Sequence, residues 1–108
     1  MSLPLPDPIA AYFRAQNAHD AEGMLGAFAQ GSTVRDEGRD MVGHDAIRAW
    51  IDDTTRKYHP SVTLLDVEQV DGSSVVKARV SGTFPGSPIE LSYRFKVEGR
   101  LIAALEIG

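Results

Sequence analysis

Ile89-Glu90-Leu91-Ser92-Tyr93-Arg94-Phe95-Lys96-Val97 places apolar and polar side chains in strict alternation. In an extended chain successive side chains point to opposite faces. Ile89, Leu91, Tyr93, Phe95 and Val97 therefore share one surface, and Glu90, Ser92, Arg94 and Lys96 the other. A strand of this kind belongs to an antiparallel sheet with one buried and one wet face. The flanking sequence continues the pattern, with further strands read over 62–70, 74–84 and 101–107. Asp71-Gly72 and Glu98-Gly99 supply tight turns between them, and Pro85-Gly86-Ser87-Pro88 a wider one. Gly82, inside the second strand, marks a bulge or bend that curves the sheet.

Toward the N-terminus the period changes from two to 3.6. Asp7-Pro8 reads as a helix start, with Asp7 as N-cap and proline at the first helical position. Ile9, Tyr12, Phe13 and Gln16 then follow at i, i+3, i+4 and i+7, which puts Tyr12 on the inward face. Asn17-Ala18-His19 breaks this helix. Asp20 caps a second, with Ala21, Met24, Leu25 and Phe28 inward and Gly31 as its stop. A third helix runs from about His44 to Tyr58, ended by His59-Pro60. Ile47, Trp50, Ile51, Thr54 and Tyr58 form its apolar stripe, and Asp52–Arg56 and Asp53–Lys57 are i, i+4 pairs on its outer side.

A chain of 108 residues has room for one core, so residues 1–108 are read as a single domain, with 1–6 irregular. Hydrophobic residues at 43% and charged residues at 24% are those of an ordinary globular protein, and no apolar run is long enough for a membrane helix. The start carries no basic and apolar signal segment. Zero cysteines exclude a disulfide framework, a thiol nucleophile and a thiolate metal site, and fit a cytoplasmic protein. A net charge of −4 argues against nucleic acid as a partner, because phosphate binding rests on cationic side chains. His19, His44 and His59 stand at helix boundaries without ligand spacing, so neither a metal nor an organic cofactor is expected.

Helices first and a curved antiparallel sheet second give an α+β fold: a cone-shaped sheet packed against three N-terminal helices, with an apolar interior open at one end. Tyr12, the Asn17-Ala18-His19-Asp20 break, Phe28, Thr33-Val34-Arg35-Asp36 and Gly43-His44-Asp45-Ala46-Ile47-Arg48-Ala49-Trp50 together resemble the nuclear transport factor 2-like superfamily in its SnoaL-like branch. The resemblance covers nearly the whole chain from Pro8. It implies a cystatin-like roll, a small-molecule pocket and a homodimer formed through the outer sheet face. Ketosteroid isomerase is the enzyme template it offers. Set beside that enzyme, Tyr12 falls on the oxyanion-binding tyrosine and Asp36 on the general base, with no gap between them. Two departures stand out. Leu91 replaces the protonated aspartate that shares the oxyanion hole, and Ile51 replaces a supporting tyrosine. Loss of one such donor costs about a hundred- to a thousand-fold in rate, so steroid isomerisation is not the expected reaction.

Asp36 and Tyr12 are thus the candidate catalytic residues. On an apolar wall, Asp36 would serve as a proton acceptor and Tyr12 as a donor to a developing oxyanion; the bland alternatives are a surface carboxylate paired with Arg35 or Arg39 and an ordinary core tyrosine. Trp50, Phe84, Leu91, Tyr93 and Phe95 are candidate ligand contacts by face, each equally readable as core. Glu106 shares a face with Ala104, opposite Leu101, Ala103, Leu105 and Ile107. If the Ala104 face is inner, Glu106 becomes a second carboxylate opposite Asp36. The resulting expectation is a cofactor-independent proton-transfer enzyme, of isomerase or cyclase type, acting on a small apolar or carbonyl-containing molecule. A non-catalytic ligand-binding or dimerisation module is the alternative, and a hydrolase or dehydratase using Asp36 with Glu106 is a third.

Overall fold

In a computed structural model, which describes residues 5–108, the chain starts its first helix, α1, at Asp7–Asn17. The N-cap is Pro6 rather than Asp7, and Asp7 and Pro8 both lie inside the first turn. The negative charge of Asp7 there favours the helix N-terminus through the dipole. Of the stretch expected to be irregular, residues 1–4 lie outside the described residues, and Leu5 and Pro6 belong to no helix or strand. His19 takes a left-handed conformation (φ 55°) that breaks the chain after α1. Asp20 then caps α2 (Ala21–Gly26), its carboxylate accepting from the Gly23 N–H at 3.1 Å.

α2 stops at Gly26, five residues short of Gly31, and Phe28 opens a strand instead of closing a helix. This strand, β1 (Phe28–Asp36), turns at Glu37-Gly38 into β2 (Arg39–Val42). Both turn residues have positive φ (54° and 74°), as a type I′ hairpin requires, and Asp36 pairs directly with Arg39. The hairpin sits between the second and third helices, so helices and strands do not divide cleanly into halves. α3 (His44–Tyr58) follows with the expected boundaries, ended by left-handed His59 (φ 45°). On its outer face Asp53 takes both cations, Lys57 at 3.2 Å and Arg56 at 3.1 Å, in place of the expected Asp52–Arg56 pair. A bidentate pair between Arg48 and Glu22 ties α3 to α2.

β3 (Ser61–Val70), β4 (Ser73–Ser81), β5 (Ile89–Glu98) and β6 (Leu101–Ile107) complete a six-stranded sheet of order β2-β1-β6-β5-β4-β3. β3 through β6 form the expected antiparallel meander. β1 lies parallel to β6, with Thr33 opposite Ala104 and Asp36 opposite Ile107, so the sheet is mixed rather than wholly antiparallel. That one parallel pairing joins the N-terminal hairpin to the last strand and brings the end of β1 beside the end of β6.

Bulges adjust the faces. Lys96 pairs with Ala104 but Val97 with Ile102, so one extra residue sits in β6. Ile102 and Leu105 consequently both face inward, at 0% and 2% exposure, while Leu101 is 39% exposed. The core lies between the inner sheet face and the helices, where Ile9, Ile47 and Ile51 meet Val34, Val76 and Phe95. Asn17 adds a polar tie at the edge strand, its side-chain amide donating to the Val62 carbonyl (2.9 Å) and accepting from the Val62 N–H (2.7 Å).

β4 ends at Ser81, three residues earlier than its alternation suggests, because the chain leaves the sheet to dock under α3. The Thr83 N–H donates to the Tyr58 carbonyl (2.8 Å) and the Thr83 hydroxyl to that of Lys57 (2.9 Å), satisfying acceptors at the helix C-terminus. A side chain on Gly82 would lie closer to the Tyr58 carbonyl oxygen than real Cβ atoms approach, and would also crowd the Phe84 ring. Gly82→Ala should therefore destabilise the fold by about 1–3 kcal/mol. Urea denaturation checks this; a change within about 0.5 kcal/mol would mean that the contact yields freely.

Candidate active site

α1 presents Tyr12 and Gln16 one helical turn apart, and α3 presents Trp50, Thr54 and Tyr58 at the same spacing. β5 faces them with Ile89, Leu91 and Tyr93 at alternate positions. Phe84, Val80 and Ile107 close the sides, and together these residues enclose a cavity of about 350 Å³ open to solvent. That volume falls at the small end of the roughly 300–1,000 Å³ typical of small-molecule sites.

Asp36 lies on the wall of this cavity, at the last position of β1. It is half-buried, and the Trp50 indole N–H donates to its Oδ2 at 3.0 Å. Trp50 thus holds the carboxylate in place as well as adding aromatic wall. Of the two competing partners, Arg35 on the opposite face of β1 meets Asp40 at 3.6 Å, and Arg39, the cross-strand neighbour of Asp36, forms no ion pair with it. Thr54 turns its hydroxyl back to the Trp50 carbonyl at 2.9 Å and offers the cavity mainly its carbon atoms.

Tyr12 is fully buried, and its ring is met edge-on by Phe13, Phe28 and Phe95 at centroid distances of 5.2, 5.6 and 5.7 Å. Its hydroxyl, like the Oε1 of Gln16, has no hydrogen-bond partner among the described residues. Buried polar groups without partners cost free energy, about 1–3 kcal/mol each, which a ligand supplying the complementary groups would relieve. Desolvation pushes the Tyr12 phenol well above its ordinary pKa, with the Tyr93 phenol and the Asp36 carboxylate adding to the shift. Tyr93 is likewise pushed up, first by burial and then by Asp36. Both phenols therefore remain protonated donors at neutral pH.

The sign of the pH dependence follows. Each folded-state phenol holds its proton above the unfolded value of about 10, so the stabilisation it contributes is complete below that pH and is lost as pH rises above it. The slope is about 1.4 kcal/mol per pH unit for each phenol while only the unfolded form is ionised. In an alkaline titration followed by tyrosinate absorbance and circular dichroism, two phenolic protons should be released together with unfolding. Ionisation of all three tyrosines with the fold intact would contradict the burial of Tyr12 and Tyr93.

Six of the eight residues singled out from sequence line the cavity: Tyr12, Asp36, Trp50, Phe84, Leu91 and Tyr93. Phe95 does not. It is fully buried beneath Tyr12 and Phe13, since its position on β5 falls under the body of α1 rather than beside the opening. Glu106 points the other way, to the exposed outer sheet face, because Leu105 and Ile107 take the inner positions of β6 after the bulge. There it stands opposite Arg94 on β5 and Arg35 on β1, two cations that explain a carboxylate at this register. A carboxylate pair with Asp36 is therefore not formed, and the hydrolase or dehydratase scheme built on it falls away.

Gln16, Thr54, Tyr58, Ile89 and Ile107 line the cavity without having been proposed as contacts. Gln16 and Tyr58 carried a usable signal, being polar groups on otherwise apolar helical stripes. Two of the histidines are tied to the backbone, His44 to the Phe28 carbonyl (2.8 Å) and His19 to that of Pro60 (3.3 Å). Among the described residues no three His, Cys, Asp or Glu side chains cluster as metal ligands, and no helix is long and apolar enough to cross a membrane.

The SnoaL-like domain family matches residues 9–104. No curated protein matches the chain. Among solved structures, a putative polyketide cyclase from Sinorhizobium meliloti is 35% identical and superposes with a TM-score of 0.92, covering 96% of this chain and 95% of that one. A second putative polyketide cyclase, from Silicibacter sp., is 23% identical with a TM-score of 0.81, over 94% of this chain and 85% of that one. A protein of ketosteroid isomerase-like fold from Catenulispora acidiphila, solved with trimethylamine, is 19% identical with a TM-score of 0.83, over 97% and 86%. The last two speak for the fold alone.

Proposed function

This chain belongs to the SnoaL-like domain family, and from that premise we propose that it is a cofactor-independent proton-transfer enzyme acting on a small, largely apolar carbonyl compound. The observation that carries the proposal is a half-buried carboxylate, Asp36, on the wall of an apolar cavity that also holds two neutral phenols. Asp36 takes the proton from the carbon next to the carbonyl, and the electron pair of that C–H bond moves to the carbonyl oxygen as an enolate. Tyr12 donates its hydroxyl to that oxygen. In a β,γ-unsaturated ketone the enolate then recovers the proton from Asp36 at the γ-carbon, giving the conjugated isomer. In a dicarbonyl compound its α-carbon instead attacks the second carbonyl, whose oxygen takes up the proton from Asp36. That gives a ring bearing a hydroxyl and returns Asp36 to its starting state. The 35% identical Sinorhizobium meliloti protein, described as a putative polyketide cyclase, favours the ring-closing outcome. No redox step enters either route.

The test is α-proton exchange in D₂O. Enolisable monoketones of one or two rings, such as 2-tetralone and 2-indanone, are incubated with the protein and followed by NMR. The proposal expects exchange well above the buffer rate with at least one of them; no acceleration across the set would overturn it.

A second reading rests on the charges of the cavity. Asp36 and Glu37 are its only fully charged lining groups among the described residues, and they are surrounded by the rings of Trp50, Tyr58 and Phe84. An anionic site walled by aromatic faces suits a small ammonium ion. Titration with trimethylammonium, read by the emission of Trp50, the single tryptophan, separates the two. Saturable binding without proton exchange on any ketone would favour an amine-binding module.

A further inference from the structure

We infer that Tyr93 is a second hydroxyl donor to the ligand oxyanion, standing beside Tyr12 and replacing the donor that Leu91 cannot supply. The inference deepens the proton-transfer reading and rests on it for the identity of the ligand group. Tyr12 comes from α1 and Tyr93 from β5, yet the same two phenylalanines hold both rings. Phe13 meets each edge-on at a centroid distance of 5.2 Å. Phe95 meets Tyr12 edge-on at 5.7 Å and stacks on Tyr93 at 6.2 Å with an interplanar angle of 10°. Both tyrosines are buried, at 0% and 3% exposure, and both line the cavity on whose wall Asp36 lies. Two rings fixed by shared neighbours have little rotamer freedom left to lose when they bind a ligand, which is the condition for a preorganised donor pair.

The alternation of β5 explains how Tyr93 takes over this role. Leu91 and Tyr93 are two residues apart on the same face, so both reach the same cavity wall. A leucine there makes the wall apolar, and the phenol one step further along the strand restores a donor from a neighbouring position. The site so formed selects ligands whose oxygen gains negative charge, namely enolates and their stable mimics, phenolates. Burial and the Asp36 carboxylate keep both donors protonated, and hydrogen bonds to a charged acceptor are worth roughly twice neutral ones.

The experiment measures binding of 4-nitrophenol and of 4-nitroanisole, which has the same ring but no ionisable oxygen. It uses an Asp36→Asn background so that the carboxylate does not repel the anion. The expected result is preferential uptake of 4-nitrophenolate, seen as a lowered apparent pKa of the bound phenol by its visible absorbance. Tyr93→Phe should weaken 4-nitrophenolate binding about ten- to a hundred-fold and leave 4-nitroanisole within about threefold, well under the tenfold that 1.4 kcal/mol represents. Tyr12→Phe should behave alike. Unchanged phenolate affinity in Tyr93→Phe, an equal loss of both probes, or failure of either probe to bind would overturn the inference. Phenolate recognition does not use Asp36 as a base. A protein that shows the Tyr93 effect but exchanges no ketone proton therefore sinks the enzymatic reading and leaves the donor pair standing.

Discussion

Asp36→Asn is expected to lower ketone α-proton exchange by about a hundred- to ten-thousand-fold with no change in fold. The expected loss is large because no second carboxylate shares the half-buried position of Asp36: Glu106 lies on the far face of the sheet, and Glu37, the other carboxylate lining the cavity, is exposed to solvent in the hairpin turn. The substitution is nearly isosteric, and an asparagine carbonyl oxygen still accepts from the Trp50 indole that now meets Asp36 Oδ2 at 3.0 Å. What disappears is the negative charge and the ability to take a proton. Thermal unfolding of the variant should match the parent, and Glu106→Gln should exchange ketone protons at the parent rate. A loss smaller than about tenfold in a folded Asp36→Asn protein would remove Asp36 from the chemistry.

Phe95→Ala should destabilise the fold by about 3–5 kcal/mol, the usual cost of deleting a fully buried aromatic ring. Against a total stability of about 5–15 kcal/mol, this is a large share of what holds the fold. Phe95 is completely buried and touches three other rings: Tyr12, Phe13 and Tyr93. Its removal leaves a cavity at the point where α1 packs on β5. The same change frees the two phenols, so 4-nitrophenolate affinity should fall even under conditions where the variant remains folded. Urea denaturation measures the first effect and absorbance titration the second. A loss below about 1 kcal/mol would show that the surrounding rings collapse into the space, and would argue against a rigid aromatic support for the site.

The parts of this fold that could be read from sequence are those determined by local chemistry. α3 ends where His59-Pro60 requires, and its Ile47, Trp50, Ile51, Thr54 and Tyr58 stripe sorts into core and cavity wall along one face. β5 follows its alternation, and Asp71-Gly72 forms the expected turn with both φ values positive. The hairpin of β1 and β2 was hidden for two reasons. Phe28 fits a helical stripe as well as a strand, and the pairing of β1 with β6 joins residues some seventy positions apart, which no local pattern signals. Glu37-Gly38 was the available clue to the turn.

The site divides in the same way. Tyr12 and Asp36 emerge only through likeness to a known enzyme, because a lone phenol and a lone carboxylate carry no spacing signature. Alternation gives a residue's face but not its depth, so Tyr93 at the cavity and Phe95 beneath α1 look equivalent in sequence. Glu106 turned on a single extra residue in β6, a bulge that settles which face Leu105 takes and is invisible until the strands are paired. Gln16 shows the reverse: a polar side chain on the apolar stripe of α1 was readable, and the structure places it at the cavity.

The stereochemical course of exchange on a prochiral ketone tests the central claim most directly. Asp36 projects from one wall, so a ketone held by Tyr12 and Tyr93 presents one face to it. With 2-tetralone in D₂O, early exchange by the wild-type protein should produce a single enantiomer of the monodeuterated C1 product in clear excess, and Asp36→Asn should erase both the rate and the selectivity. Racemic exchange, or selective exchange that persists without the Asp36 carboxylate, would contradict the account.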